Sequence, residues 1–322
     1  MGRVNRIPFP PVSSEEWVLD YDSGIASGPG HNYEARLAFG YTGGVIGGFA
    51  YYGSSNISGV TKSYTRNDEL DWSFLGNVGS NTKWANWFPQ MMYWAGNWYC
   101  VSKMAYGYTF SYLYRWTGAS WAKVTEWEYG LAFLVQVSNR LFFMATDFTI
   151  PAIKVIEVLG PSSVVARSNL PYANLSAFWG PIEWEGAVHN MYGYLYPSGS
   201  GLAYGLVATN RPKDRFNAAW NGVLWQGAIN SGIKYKTSPS SAWTTVPVPG
   251  YKIDHCATLG DNDYLYTTAR RVSDNKHVVL RYNGSVWTEV FAFTDSTVMR
   301  ALYALDGTYY LTTTNGKIYR KV

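Results

Sequence analysis

Polar and apolar positions alternate along this chain in short segments, and each segment runs into a turn. Three of them share one spacing before a closing Gly: "RLAFGYTG" (36–43), "RFNAAWNG" (215–222) and "RALYALDG" (300–307). Four more follow the same pattern, two of them with Asn or Asp at the end: "PQMMYWAG" (89–96), "AFLVQVSN" (132–139), "WGPIEWEG" (179–186) and "DHCATLGD" (254–261). Alternation with a period of two before such residues predicts a β-strand that enters a hairpin turn.

Each copy continues with further strand-like segments in a constant order. A second apolar segment follows the turn ("NWYCVSK", "TYYLTTT"), and a third ends near Tyr or Arg ("YLYRWTG", "VVLRYNG"). A fourth segment carries a Trp, with a degenerate copy at 162–167; the tryptophans are Trp72, Trp121, Trp243 and Trp287. Successive copies start 36 to 53 residues apart. Four short antiparallel strands in a unit of this length predict one sheet per repeat.

The last repeat lacks its fourth segment, and a segment of that type lies near the N-terminus. The last copy stops at Val322 after its third segment, whereas "EEWVLDYD" (15–22) is a Trp segment that precedes the first copy. We predict that residues 15–22 form the fourth strand of the last sheet, because an incomplete sheet leaves an unpaired edge. Residues 1–14 are then an N-terminal extension of a single domain that spans residues 1–322.

The composition agrees with an all-β domain of this size. Aromatic residues make up 17% of the chain, charged residues only 15%, and there are 32 glycines. Aromatic side chains favour strands and Gly favours tight turns. We predict seven repeat sheets, or six if residues 175–248 form one enlarged sheet. In the stretch 172–215, "LAYGLVATNRPKD" (202–214) offers a third strand but no Trp strand. The recurrent Trp and Tyr side chains are expected to pack between facing sheets.

Charge and hydropathy exclude several classes of partner. The net charge is +4 without a cluster of Lys and Arg, so we expect no nucleic-acid partner. No apolar run approaches the roughly 20 residues of a membrane helix, so we expect no membrane insertion. The N-terminus lacks the apolar segment of a secretory signal, which predicts a protein made without a secretion signal. The two Cys and four His show no metal-ligand spacing, so we expect no metal and no cofactor.

The repeat resembles that of β-propeller proteins, with the Trp segment as the outer strand of each blade. The turn before it is similar to the Asp-box of sialidase-like propellers, in degenerate form. In "TRNDELDW" (65–72), Thr65 is kept, Asn67 stands in the Asp position and Glu69 replaces Gly. This resemblance implies a seven-bladed, or alternatively six-bladed, propeller around a central channel.

The aromatic, weakly charged repeats without a secretion signal also resemble propellers of bacteriophage virion and tail proteins. This resemblance implies a location in the virion. It also implies other virion or scaffold proteins, and possible surface glycans, as partners.

The residues that lie seven positions before each turn residue define a candidate ring. They are Arg36, Pro89, Ala132, Trp179, Arg215, Asp254 and Arg300. Guanidinium groups bind carboxylate, sulfate or phosphate through paired hydrogen bonds. Arg36, Arg215 and Arg300, with Asp254 beside them, are therefore candidate residues for binding an anion. The alternative is that these arginines solvate the mouth of a channel and pair with neighbouring carboxylates.

A second candidate site consists of tryptophans in polar connections. Trp84 and Trp87 lie in "GSNTKWANWFPQ", before a predicted first strand, and Trp179 lies in "FWGPIEWEG". An exposed indole can stack on the apolar face of a sugar. Trp184 lies in the same segment as Trp179 and is a candidate of the same kind. The alternative is that these residues pack in the core or at its rim, as we expect for Trp94 and Trp98.

Three functions remain open at the level of sequence. The first is a non-enzymatic structural or recognition propeller. The second is a hydrolase of acidic glycans, because sialidase-like propellers bind a substrate carboxylate with three arginines. That resemblance assigns no nucleophilic Tyr among the 27 of this chain, so no catalytic residue is predicted. The third is a soluble lectin.

Overall fold

A computed structural model describes the chain over most of its strands and several turns. The residues described are 17–22, 34–38, 45–50, 61–66, 72–78, 90–103, 110–128, 132–147, 152–171, 182–189, 193–206, 214–228, 232–260, 263–293, 299–305, 308–313 and 317–322. These residues contain strands and no helix.

The strands follow one another in groups of four. The first fourteen are β1 (Trp17–Asp22), β2 (Glu34–Ala38), β3 (Val45–Ala50), β4 (Thr61–Arg66), β5 (Trp72–Val78), β6 (Gln90–Trp94), β7 (Asn97–Lys103), β8 (Phe110–Trp116), β9 (Trp121–Glu128), β10 (Ala132–Val137), β11 (Arg140–Asp147), β12 (Ala152–Gly160), β13 (Ser163–Pro171) and β14 (Ile182–Trp184). The others are β15 (Ala187–His189), β16 (Gly193–Ser198), β17 (Gly201–Leu206), β18 (Asp214–Trp220), β19 (Val223–Ala228), β20 (Ile233–Lys236), β21 (Thr244–Val246), β22 (Tyr251–Gly260), β23 (Leu265–Arg271), β24 (His277–Tyr282), β25 (Trp287–Ala292), β26 (Met299–Leu305), β27 (Thr308–Thr313) and β28 (Lys317–Lys321).

Within the described residues these strands pair into seven antiparallel sheets of four strands each. Six sheets have strands in chain order, β2-β3-β4-β5, β6-β7-β8-β9, β10-β11-β12-β13, β14-β15-β16-β17, β18-β19-β20-β21 and β22-β23-β24-β25. The seventh has the order β1-β28-β27-β26. Each of the seven alternating segments found in the sequence supplies the first strand of one sheet, as predicted.

The seventh sheet joins the two ends of the described chain. β1 pairs with β28 antiparallel, with Trp17 opposite Lys321 and Asp22 opposite Lys317. A buried ion pair strengthens this contact, because Arg320 Nε lies 3.0 Å from Asp20 Oδ1 and the Asp20 side chain is 5% exposed. This pairing confirms the prediction that the Trp segment at 15–22 forms the fourth strand of the last sheet.

Residues 182–246 form two separate sheets, β14–β17 and β18–β21. The sequence pattern suggested that "LAYGLVATNRPKD" (202–214) contains a third strand in a copy without a Trp strand. This assignment was wrong, because Gly201–Leu206 is the fourth strand and pairs with Gly193–Ser198. The fourth strand here lacks the Trp that marks its counterparts, so its position could not be recognised from composition.

The first hairpins of four sheets turn through two residues with positive φ. The pairs are Ala95–Gly96, Ser138–Asn139, Glu185–Gly186 and Asn221–Gly222. Two consecutive positive φ angles define a turn whose twist matches that of the flanking strands. Asn and Gly adopt this conformation with little strain, whereas Ala95 (φ 47°) and Glu185 (φ 52°) do not.

Apolar clusters lie between neighbouring sheets. β18 contacts β22, β22 contacts β26, and β26 contacts β2, so the last sheet also touches the first. Trp17 at the start of β1 is buried and packs on Phe291 of the preceding sheet, with ring centroids 5.9 Å apart. Trp287 at the start of β25 stacks on Tyr282 of its own sheet at 4.6 Å, and Tyr282 in turn packs on Trp220 of the preceding sheet at 6.0 Å. The contacts of Trp17 with Phe291 and of Tyr282 with Trp220 confirm that recurrent aromatic residues pack between sheets.

Candidate functional site

The four polar residues of the candidate ring lie on the first strands of successive sheets. Arg215 is in β18, Asp254 in β22, Arg300 in β26 and Arg36 in β2. Each of these strands contacts the next in that order. The backbone therefore brings the four residues onto neighbouring strands, and their ability to bind a ligand stays a prediction.

Arg215 and Arg300 occupy equivalent irregularities of the backbone. In both β18 and β26 the register shifts at the arginine, so that no residue of the second strand is paired with it. Each arginine lies five residues before the end of its strand. Such bulges occur often beside functional sites. The repeat thus places the same local distortion at an arginine in two sheets that are separated by one other sheet.

Asp254 lies in a longer irregular part of its strand. In the pairing of β22 with β23, Ile253 is opposite Ala269 and the next paired residue of β22 is Thr258, opposite Thr267. Asp254 lies between these two positions, where the register shifts. Three of the tryptophans predicted to stack on a sugar fall outside the described residues: Trp84, Trp87 and Trp179.

Two other tryptophans connect the first hairpins of successive sheets. Trp94 is the last residue of β6, and its Nε1–H donates to the carbonyl oxygen of Asn139 at 3.0 Å. Trp184 is the last residue of β14, and its Nε1–H donates to the carbonyl oxygen of Gly222 at 3.0 Å. Asn139 and Gly222 are both the second residue of a two-residue turn. Trp94 and Trp184 therefore brace the assembly. This agrees with the packing expected for Trp94 and with the packing alternative for Trp184, which is 5% exposed.

Polar contacts link the sheet β10–β13 to the sheet β14–β17 at the same hairpins. The backbone N–H of Ser138 donates to Glu183 Oε1 at 3.1 Å. Arg140, the first residue of β11, donates from Nη2 to the carbonyl oxygen of Ser200 at 2.7 Å. These two bonds hold the β10–β11 hairpin against the sheet β14–β17.

Glu157 is a nearly buried carboxylate held by two arginines. Arg140 Nε lies 2.7 Å from Oε1, and Arg167 Nη2 lies 2.6 Å from Oε2. The Glu157 side chain is only 7% exposed. The hydrogen bond from Arg140 is the main cause that holds the pKa of Glu157 below its usual value. With two cations on one anion, this network is a structural element that joins β11, β12 and β13.

Lys236 is a buried ammonium enclosed by aromatic rings of two sheets. Its Nζ lies 5.7 Å from the ring of Trp184 and 5.2 Å from that of Trp243, and it donates to the carbonyl oxygen of Pro239 at 3.3 Å. Burial lowers the pKa of Lys236. Burial, aided by the charge of Lys236, also lowers the pKa of the nearby His189 to about 4. His189 is therefore neutral at pH 7.

A continuous group of three tyrosines and two cations spans the sixth and seventh sheets. We call it the tyrosine–cation cluster. The guanidinium carbon of Arg281 lies 4.4 Å from the ring of Tyr264, whose centroid is 6.2 Å from that of Tyr266. Tyr266 is 5.0 Å from Tyr309. Lys321 Nζ lies within 5.2 Å of both these rings and donates to the hydroxyl of Tyr266 at 3.1 Å.

Sequence reasoning did not find this cluster. Its residues lie at the start of second strands and the end of third strands, where the repeat has Tyr and basic residues in several copies. Only the pairing of strands shows that these positions meet across two sheets.

Two general properties of the described residues bear on the kind of site. They contain no helix that is long and apolar enough to cross a membrane. Among them, no group of three or more His, Cys, Asp or Glu is placed to hold a metal ion.

Solved structures resemble this chain over nearly its whole length. YCF48 bound to a D1 peptide has a TM-score of 0.64 with 11% identity, over 98% of each chain. A catalytically inactive virginiamycin B lyase from Staphylococcus aureus has a TM-score of 0.57 with 12% identity, over 90% of this chain and 99% of the other. BamB from Moraxella catarrhalis has a TM-score of 0.52 with 9% identity, over 96% of each chain.

The fold is a β-propeller. All three similar structures have it, and identities of 9 to 12% establish the fold alone. No protein family model matches the sequence, and no curated protein matches it. The function of this propeller must therefore be argued from its own residues.

Proposed function

We propose that this protein is a non-enzymatic recognition propeller, a structural component of a phage virion or tail that contacts other virion or scaffold proteins or surface glycans. The observation that carries the proposal is the placement of Arg215, Arg300 and Arg36 on the first strands β18, β26 and β2, with Asp254 on β22 between the first two. Three arginines on the inner strands of three blades would form a focused positive field at one end of a channel.

The proposal includes seven blades in a closed ring. It is supported by the seven four-stranded sheets within the described residues and by the contact between β26 and β2, which joins the last sheet to the first. The ring is closed by β1, whose pairing with β28 completes the seventh sheet. A ring braced between its hairpins is a rigid platform, and rigidity lowers the entropic cost of binding.

The ligand that suits these arginines is a carboxylate, sulfate or phosphate group. Such groups occur on acidic glycans and on acidic side chains of proteins, and a guanidinium binds them through two parallel hydrogen bonds. The fold accommodates a macromolecular ligand in at least one similar structure, that of YCF48 with a bound D1 peptide.

The location is tested on particles purified by density gradient from the source of this protein. We expect the protein to co-purify with intact particles, and antibodies against it to decorate the capsid or tail in electron micrographs. A protein that is found only in the unassembled fraction would contradict a role in the virion.

The arginines are tested by adsorption of particles, or of the purified protein, to the target surface. The Arg215→Ala/Arg300→Ala double variant is expected to lose binding about tenfold or more, because a charge-assisted hydrogen bond contributes roughly 1.5–3 kcal/mol. Lys252→Ala removes an exposed charge elsewhere on β22 and is the matched control. Equal binding by the double variant and the control, with unchanged circular dichroism, would rule out the arginine site.

A hydrolase of acidic glycans is the second candidate, and the same three arginines favour it. The similar virginiamycin B lyase shows that this fold hosts enzymes. This candidate predicts turnover of a fluorogenic acidic glycoside that Arg300→Ala abolishes. Binding without turnover across a panel of glycosides would favour the recognition role.

A further inference from the structure

The tyrosine–cation cluster lies at a partly exposed surface of this propeller. Tyr266 at its centre is 1% exposed, whereas Tyr264, Arg281, Tyr309 and Lys321 are all partly exposed. Both cations lie against the faces of these rings, at the end of the sheets where the first and second strands join. The cluster therefore presents a surface with an aromatic centre and a positive charge at each end.

The contact of Lys236 with aromatic rings, two sheets earlier in the chain, is buried rather than partly exposed. Lys236 ends the third strand β20, as Lys321 ends the third strand β28. Lys236 is 1% exposed and closed in by Trp184 and Trp243. A buried cation between two rings is therefore sufficient to hold two sheets together. Arg281 and Lys321 are both partly exposed, and holding the sheets together does not explain this exposure.

We propose that the tyrosine–cation cluster binds the acidic sugar residues of a carboxylated polysaccharide. A uronic acid carries a carboxylate and an apolar ring face on one unit. The carboxylate suits the donors of Arg281 or Lys321, and the ring face suits Tyr264 or Tyr309. The proposal deepens the glycan-recognition part of the proposed function and rests on it, but it uses residues other than the first-strand arginines.

A polysaccharide fits this surface better than nucleic acid does. Stacked bases and phosphates also bind rings and cations, but such surfaces usually have dense basic charge. Here the exposed Asp263 directly precedes Tyr264, and the net charge of the chain is only +4.

Binding is tested by titration calorimetry with oligogalacturonate and the purified full-length protein at low salt. We expect the Arg281→Gln/Lys321→Gln double variant to bind about a hundredfold more weakly, with roughly tenfold for each charge. Lys276→Gln removes an equal charge from the exposed turn at the other end of the sixth sheet and should bind like wild type. Tyr264→Ala should weaken binding, and Tyr264→Phe should restore it because the ring face is retained.

The outcomes separate this proposal from alternatives. No binding of oligogalacturonate by wild type up to about 1 mM would overturn it. An equal loss in Lys276→Gln, or tighter binding of single-stranded DNA, would overturn it as well. If binding is lost in Arg215→Ala/Arg300→Ala and kept in Arg281→Gln/Lys321→Gln, the cluster is not the glycan site, while the proposed recognition function stands. Lys321→Arg keeps the charge and serves as a second variant if Lys321→Gln does not fold.

Discussion

The indole N–H of Trp184 donates to the carbonyl oxygen of Gly222 at 3.0 Å, and this bond joins the first hairpin of one blade to the first hairpin of the next. Trp94 and Asn139 make the same bond two blades earlier. A tryptophan that ends a first strand reaches the second turn residue of its neighbour in both cases. The repeat therefore encodes contacts between blades as well as the strands within each blade.

Replacing either tryptophan with Phe keeps most of the ring and removes this bond. We expect Trp94→Phe and Trp184→Phe each to lower the free energy of unfolding by about 1 kcal/mol, since an intramolecular hydrogen bond contributes about that much. The double variant measures whether the two effects are coupled, because Ser138, next to Asn139, bonds to Glu183, next to Trp184. Urea denaturation measures them, with Tyr196→Phe at an exposed ring as the control. A change no larger than that of the control would show that the bonds do not brace the blades.

Glu157→Gln leaves Arg140 and Arg167 facing each other without a carboxylate. We expect a loss of about 2–3 kcal/mol in stability, below the range for a fully buried pair because both arginines are about a quarter exposed. Glu126→Gln breaks the exposed pair with Lys123 and should cost clearly less than Glu157→Gln, because solvent screens exposed charges. Thermal denaturation of the two variants at pH 7 distinguishes them. Equal losses would mean that Glu157 contributes no more than a surface charge.

His189 should make stability depend on pH. Its pKa is about 4 in the folded protein and near 6.5 when unfolded, so between these values the unfolded chain binds a proton that the folded chain does not. Stability is complete above pH 6.5 and falls as the pH drops towards 4, by at most about 3 kcal/mol from this residue.

This dependence is measured from urea midpoints at pH 7 and pH 5. His189→Gln should flatten the slope between these two values, whatever its effect at pH 7. Parallel profiles for the variant and the wild type would show that another group titrates.

Deleting residues 1–22 removes β1 from the sheet β1-β28-β27-β26. Trp17 then no longer covers Phe291, and Arg320 loses Asp20, so we expect a loss on the order of 5 kcal/mol. A synthetic peptide of residues 15–22 should restore part of the melting temperature when added in excess. Deletion of residues 1–14 alone is the control and should have little effect. Full stability after the longer deletion would mean that β1 does not close the ring.

Glu185→Asn should stabilise the protein by roughly 1 kcal/mol. Glu185 has a φ of 52°, a conformation that costs most side chains about 1–2 kcal/mol and Asn less. The change in the urea midpoint measures the effect. An unchanged or lower midpoint would show that the Glu185 side chain makes a compensating contact.

The alternating segments and the Trp segments were sufficient to predict the order of strands and the closing strand at 15–22. They failed at Gly201–Leu206, because a fourth strand without its Trp cannot be told from a third strand by its pattern. The candidate ring was predicted by counting from each turn. The structure added the bulges at Arg215 and Arg300, which depend on the partner strand and leave no mark in the spacing.

The sequence by itself determined the local part of this protein: strands with a period of two, turns at Gly and Asn, and a Trp that marks most outer strands. These follow from interactions between residues that are close in the chain. Only the tertiary structure decided which side chains meet across blades, such as Lys236 with Trp184, and Arg281 and Lys321 around three tyrosines. Those contacts depend on the angle and distance between sheets, which are set by the packing of the whole core and not by any single repeat.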